Sequence, residues 1–173
     1  MKNLILITLS ALLFASCGSG SQENTTTDES TDEAPVQSML APDIMDPEGA
    51  DVVLELKSDD QMKYDKSELR VSAGQKVKVV LRHVGKMDKS VMGHNFVLLG
   101  QGVDVSAFAS LALGAVDNGY IPAETADVIA YTKVIGGGEE TSVIFDAPAP
   151  GEYDFICSFP AHYEMMNGKF IVE

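Results

Sequence analysis

The amino-acid sequence predicts an all-β sandwich. Three observations lead there: short apolar runs alternate with polar residues at a period of two, each run is closed by Gly, Pro, Asp or Ser, and a single stretch carries a helical period. Val52-Val53-Leu54-Glu55-Leu56 opens the set. Lys76 to Arg82 is the clearest strand, with Val77, Val79 and Leu81 on one face and mostly polar side chains on the other, as a half-buried strand requires. Asn95 to Leu99, Val128 to Val134, Thr141 to Asp146, Glu152 to Ser158 and Lys169 to Val172 complete an antiparallel set at the spacing of a sandwich. Gly136-Gly137-Gly138 and Ala149-Pro150-Gly151 supply turns. Val103 to Gly114, within the 101–120 region, has apolar residues on a helical period and Ser106 as its cap, which predicts one short helix across an end of the sandwich.

This pattern occupies residues 51–173, room for one compact domain plus appendages. Ahead of it, Lys2 and the apolar run Leu4 to Phe14 have the form of a secretory signal, and the run is too short to span a bilayer. It ends at Leu13-Phe14-Ala15-Ser16-Cys17, where small residues before a cysteine resemble a bacterial lipoprotein cleavage site. Residues 1–17 are therefore expected to be a signal ending at a lipidated Cys17, with an ordinary cleaved signal as the alternative. Residues 18–50 hold eight acidic side chains, no basic ones and no amphipathic period, the composition of an acidic disordered tether that gives a domain reach. The chain carries 26 acidic and 12 basic residues, net -14. Setting aside the tether's eight acids and Lys2 leaves 18 acidic and 11 basic residues, net -7, from Asp51 onward. That balance excludes nucleic acid as a partner, since phosphates need cations to neutralise them.

Chemistry concentrates near the C-terminus. Cys157-Ser158-Phe159-Pro160-Ala161-His162-Tyr163-Glu164-Met165-Met166 places a thiol, an imidazole and a thioether on one loop, as Cys-x4-His-x3-Met. Thiolate, imidazole and a weak thioether suit copper in both oxidation states. A trigonal site needs a second imidazole, and only His83 and His94 remain. His94 is favoured because Met92-Gly93-His94-Asn95 reads as an irregular, Gly-containing loop just before a strand. His83 reads as a structural histidine, with titration linked to redox state left open. For the thioether, the three-residue gap after His162 favours Met166 over Met165, because one step along an extended chain reverses a side chain.

Val91-Met92-Gly93-His94-Asn95, Tyr131-Thr132-Lys133-Val134-Ile135-Gly136 and the block Cys157 to Met166 resemble the azurins, the bacterial blue-copper proteins of the cupredoxin class. Asp60-Gln61-Met62 and Leu81-Arg82-His83-Val84-Gly85 add to the likeness, which runs from about Asp51 to Glu173. The resemblance implies a Greek-key β-sandwich with one copper ion near an end. It implies Cys157, His94 and His162 as equatorial ligands, Met166 as a distant axial ligand and the Gly93 carbonyl as a weak second one. Asn95 and Phe159 would lie just outside the ligands, with backbone N–H groups near both hydrogen-bonding the Cys157 sulfur. Two departures stand out. Val52 and Gly74 occupy the positions where azurins hold a disulfide, and Cys17 and Cys157 are the only cysteines. Phe96 stands where azurins often have Trp, a conservative change.

Full coordination by protein donors leaves no open position for a substrate, so no enzymatic reaction is expected. The expected role is single-electron transfer between Cu(I) and Cu(II), with the electron leaving through His162 across a small apolar surface holding Ala161 and Met92. Expected partners are redox proteins such as c-type cytochromes or a terminal reductase or oxidase, docking weakly. The expected location is outside the cytoplasm, lipid-anchored to a bacterial membrane and facing the periplasm or cell surface. Copper storage or delivery is the alternative, although Met39 and Met45 are isolated where such proteins cluster their methionines.

Overall fold

The structure, a computed structural model, describes residues 48–173. The expected signal, Cys17 and residues 18–47 of the expected tether lie outside the described residues. Strands β1 (Val52–Ser58), β3 (Lys76–His83) and β6 (Glu140–Asp146) form one sheet in the order β1-β3-β6. The second sheet contains β2 (Glu68–Val71), β8 (Asn167–Val172), β7 (Gly151–Ile156), β4 (Val97–Leu99) and β5 (Val128–Tyr131), in the order β2-β8-β7-β4-β5. The sandwich is the architecture expected, and the period-2 segments became strands within a few residues of their expected bounds. β2 is an addition: four residues, Glu-Leu-Arg-Val, following the charged run Asp65-Lys66-Ser67 gave no usable period.

Two pairings correct the antiparallel expectation, for β1 pairs with β3 and β2 with β8 in parallel. The cause is topological. After β1 the chain crosses to the other sheet for β2 and returns for β3, so β1 and β3 run the same way as neighbours. Register then fixes the poles of the molecule. Asp51, at the entry to β1, exchanges hydrogen bonds with Lys76 (2.8 and 2.7 Å), whereas Ser58 at its other end lies opposite His83.

The core forms where the inward faces of the two sheets meet. Leu56, Val77, Val79 and Leu81 from the first sheet pack against Phe96, Leu98, Phe155 and Phe170 around the second. Removing such side chains from water contributes roughly 1.5–3 kcal/mol each. Phe96 is fully buried with its ring centroid 5.6 Å from that of Phe155, so it fills a core position as an indole would. A smaller cluster lies outside the second sheet, where Phe108 and Ala112 of helix α2 (Val105–Ala112) cover Val97, Leu99 and Ile156. The helix falls at the expected place in the chain, but it packs on the outer face of the second sheet and not across an end of the sandwich, and its cap differs too. Asp104 is the N-cap, its carboxylate accepting from the Ala107 N–H at 3.0 Å, and Ser106 lies inside the first turn. α1 (Lys89–Met92), a single turn capped by Asp88 that ends at Gly93, has no counterpart in the expected pattern.

Candidate metal centre

Three loops meet at the end of the sandwich near Ser58. The first follows α1: its helix stops at Gly93, after which His94 forms a bridge with Ile135 and Asn95 leads into β4. Gly93 is required by close approach, because a Cβ there would lie 2.6 Å from the Lys89 carbonyl oxygen and 2.7 Å from the Phe159 ring. The second is the β7–β8 loop, Cys157 to Met166, closed by Cys157 N–H donating to the Met166 carbonyl (2.9 Å) and Met166 N–H donating to that of His162 (2.8 Å). The third, Asp59 to Tyr64, follows β1.

These loops bring His94, Cys157 and His162 together, all three buried, with one donor atom from each within 4.8 Å of the others. Cys157 Sγ stands 3.9 Å from His94 Nδ1 and 3.7 Å from His162 Nδ1. A metal held at about 2.3 Å from sulfur and about 2.0 Å from nitrogen, at trigonal angles, separates such donors by roughly 3.7 Å. The side chains present therefore fit one copper ion. The Gly93 carbonyl oxygen lies 3.9 Å from the same sulfur. Met166 is fully buried and Met165 is 56% exposed, so the inward methionine is the one the spacing favoured.

The protonation states suit a metal. His94 Nε2 donates to the Asp59 carbonyl (2.9 Å), which fixes the tautomer and leaves the Nδ1 lone pair facing the sulfur. Burial holds the His94 pKa below the usual imidazole range, with the Asp59 hydrogen bond opposing. Burial also brings His162 down to about 4, helped by the neighbouring imidazoles of His94 and His83, so both rings are neutral near pH 7. The Cys157 thiol is pushed up to about 12 by burial, against the pull of backbone N–H groups of Asn95 and Phe159 directed at the sulfur. Loading a metal must therefore displace the thiol proton, and those two N–H groups remain to stabilise the thiolate.

His83 is not among the donors. Its Nδ1 accepts from the Gly85 N–H and its Nε2 donates to the Met92 carbonyl, each at 3.0 Å, while its ring stacks on His94 at 4.4 Å. It is a satisfied structural residue that backs a ligand ring. Asn95 joins the loops: its Oδ1 accepts from the Ser158 N–H and its Nδ2 donates to the Ser158 hydroxyl, both at 2.9 Å. Sequence reasoning missed the third loop's part. The Asp59 carbonyl orients His94, the Tyr64 hydroxyl donates to the Asn95 carbonyl, and the Asp60 carboxylate accepts from the N–H groups of Lys86 and Met87. Backbone acceptors leave no mark in a sequence; the Asp60-Gln61-Met62 likeness was the only available signal.

A β-sandwich that buries a thiol and two neutral imidazoles around a copper-sized space at one end is a cupredoxin, an electron carrier that works through a single copper ion; cupredoxins are generally not enzymes. The chain belongs to the plastocyanin/azurin family of copper binding proteins, whose profile matches residues 50–173. It is 44% identical over 123 residues to Azurin-1 of Alcaligenes xylosoxydans xylosoxydans, covering 69% of this chain and 95% of that one. It is 39% identical to outer membrane protein H.8 of Neisseria meningitidis serogroup B over 117 residues, covering 66% of this chain and 63% of that longer protein. Among solved structures it is similar to auracyanin A, a blue copper protein of Chloroflexus aurantiacus, with a TM-score of 0.64 and 34% identity over 70% of this chain and 98% of that one. It transfers electrons through its copper site to redox partners.

Proposed function

We propose that this protein is a membrane-tethered shuttle for single electrons, its copper held by His94, Cys157 and His162. In this reading Met166 and the Gly93 carbonyl would be additional, weaker donors to the copper. The observation that carries the reading is the convergence of two buried imidazoles and one buried thiol at separations of 3.7 and 3.9 Å. A bound copper supplies a Cu(I)/Cu(II) couple, stabilised by sulfur in one state and by nitrogen in the other. The protein's part is to keep those donors still. The Asp59 carbonyl holds the His94 ring, Asn95 ties Cys157's neighbour to the opposite loop, and the Asn95 and Phe159 N–H groups hold negative charge on sulfur. With its positions filled by protein donors the site takes no substrate, in keeping with a carrier and not an enzyme. Electrons leave through His162, next in the chain to the exposed Ala161.

Residues 1–17 serve as the signal, Cys17 carries lipid, residues 18–50 form the tether and residues 51–173 form the electron-transfer domain. The acidic composition of 18–50 supports this division, and the meningococcal relative is itself called an outer membrane protein. The chain enters β1 at Asp51, at the pole remote from His94. The protein thus faces the periplasm or the cell surface, and its partners are c-type cytochromes or a terminal reductase or oxidase.

The test is a visible absorption spectrum after adding Cu(II), compared with Cys157→Ser. An intense blue thiolate-to-copper band, lost on reduction and absent from the variant, is expected; a colourless wild-type protein refutes the reading. Competition with a chelator separates a carrier from a copper delivery protein, since a delivery protein gives up the ion readily.

A further inference from the structure

The loop from Asp59 to Tyr64 touches the metal centre twice, and its second contact is made by a side chain that copper binding itself does not require. The loop is closed at its base: Ser58 and Tyr64 form an antiparallel bridge, Asp59 N–H donates to the Lys63 carbonyl (3.2 Å) and Asp65 N–H to the Lys57 carbonyl (2.9 Å). One end presents the Asp59 carbonyl to His94 Nε2. The other presents the Tyr64 hydroxyl, which donates to the carbonyl of the next residue along, Asn95. Two consecutive residues ahead of β4 are thus held by one loop, the first through its ring and the second through its main chain.

Asn95 is fully buried, and among the described residues no other donor hydrogen-bonds its carbonyl. Its N–H is one of the two directed at the Cys157 sulfur. A swing of the Asn95 main chain would tilt that N–H away, and hydrogen bonds weaken steeply as their angle falls. Tyr64 is itself anchored, with its ring centroid 5.7 Å from that of Phe155 at the edge of the core. Burial, with the charge of the Cys157 sulfur adding to it, holds the phenol pKa well above its ordinary value of 10, so the hydroxyl keeps its proton and remains a donor near neutral pH. Phenylalanine would fill the same space; what tyrosine adds is the hydroxyl.

We propose that Tyr64 is a positioning residue for electron transfer: its hydroxyl holds the Asn95 main chain so that the Asn95 N–H stays aimed at the Cys157 sulfur, and through that bond it sets the copper reduction potential. The proposal rests on the copper-carrier reading and extends it to a residue outside the donor set. Sulfur carries more negative charge when copper is cuprous, because it gives less electron density to the metal in that state. An N–H directed at sulfur therefore favours the reduced form, and loosening that N–H lowers the potential.

The test is Tyr64→Phe, with Tyr153→Phe as its counterpart. The Tyr153 hydroxyl also donates to a main-chain carbonyl, that of Ala149 at 2.7 Å, at the end of β7 remote from Cys157. Each change removes one such bond, so both should lower the urea midpoint of the metal-free protein. In the metal-free, full-length protein, Tyr64→Phe should speed hydrogen exchange at the Asn95 amide roughly tenfold more than at the Phe159 amide, whereas Tyr153→Phe should leave the ratio of the two as in the wild type. With copper bound and the hexacyanoferrate couple present, Tyr64→Phe should shift the Cu(II)/Cu(I) ratio roughly threefold to tenfold toward Cu(II), the weight of one hydrogen bond, tenfold being about 59 mV for one electron. The blue band should move as well, and Tyr153→Phe should change neither ratio nor band. A Tyr64→Phe protein that loses stability yet keeps the wild-type copper ratio and band, or whose Asn95 and Phe159 amides keep their relative exchange, reduces the hydroxyl to a structural bond and overturns the proposal. Wild-type protein that forms no blue band refutes the copper carrier instead, and the exchange comparison then still decides whether Tyr64 holds Asn95.

Discussion

Asn95→Leu isolates what holds the two halves of the metal centre together. The side chain is fully buried and spans from the His94 loop to the ligand loop through two 2.9 Å hydrogen bonds with Ser158 and a longer one, 3.3 Å, to the Gly119 carbonyl. Leucine keeps most of the volume and removes all three. The Ser158 N–H and hydroxyl are left in a buried place without these partners, at about 1–3 kcal/mol for each unsatisfied group, while the Gly119 carbonyl is only half-buried and regains water. The expected loss is about 2–6 kcal/mol, a large share of the 5–15 kcal/mol typical of a domain. With a urea dependence of about 2 kcal/mol per molar, the midpoint of the metal-free protein should fall by roughly 1–3 M without a change in slope. Since Ser158 follows Cys157 directly, the blue band of the copper-loaded variant should also shift or weaken. A midpoint within about 0.3 M of wild type would refute the idea that Asn95 bears the connection between the loops.

Three further outcomes are expected. Asp104→Ala removes the cap of α2 and should cost about 1 kcal/mol, seen as a thermal midpoint lowered by a few degrees with the copper spectrum unchanged. Met166→Leu, a volume-conserving change that costs under about 1.5 kcal/mol, should alter the visible spectrum and the reduction potential, whereas Met165→Leu at an exposed position should leave both as they were. In the metal-free protein, His162 titrates at about 4 when folded and near its ordinary value of 6.5 when unfolded. Between those values the unfolded chain binds more protons, so stability should fall as pH drops from 6.5 toward 4; urea midpoints measured across that range check it, and His162→Gln should flatten the slope.

The features legible in the sequence were those set by side-chain period and by fixed spacing. The alternation of Val77, Val79 and Leu81 defined β3 because one face of that strand meets the core and the other meets water. Cys157 and His162 were legible because a single loop carries them, so chain distance stands in for spatial distance. His94 was harder, since 63 residues separate it from Cys157 and local irregularity was the only cue. The parallel partners of β1 and β2 were hidden for the opposite reason: which strands become neighbours depends on crossings between sheets, and a strand's own residues look the same with either neighbour. The Asp104 cap was a choice between two good capping residues two positions apart, decided by which backbone leaves the helical region, and at Asp104 φ is -72° and ψ is 106°. The Asp59 carbonyl acts through its backbone, and a residue name does not report that.

Among the described residues Cys157 is the one free cysteine, and the scaffold around it is closed by strand pairing and apolar packing, with no covalent crosslink. The same reductant that would convert the metal to its cuprous form therefore finds nothing in residues 48–173 whose cleavage would loosen the fold. Assembly of this region needs no thiol-oxidising catalyst either, and its single thiol has no second cysteine within the domain with which to mispair. Redox chemistry and mechanical integrity are thus carried by different bonds, so the domain can cycle in surroundings that swing between oxidising and reducing without its framework responding to the swing.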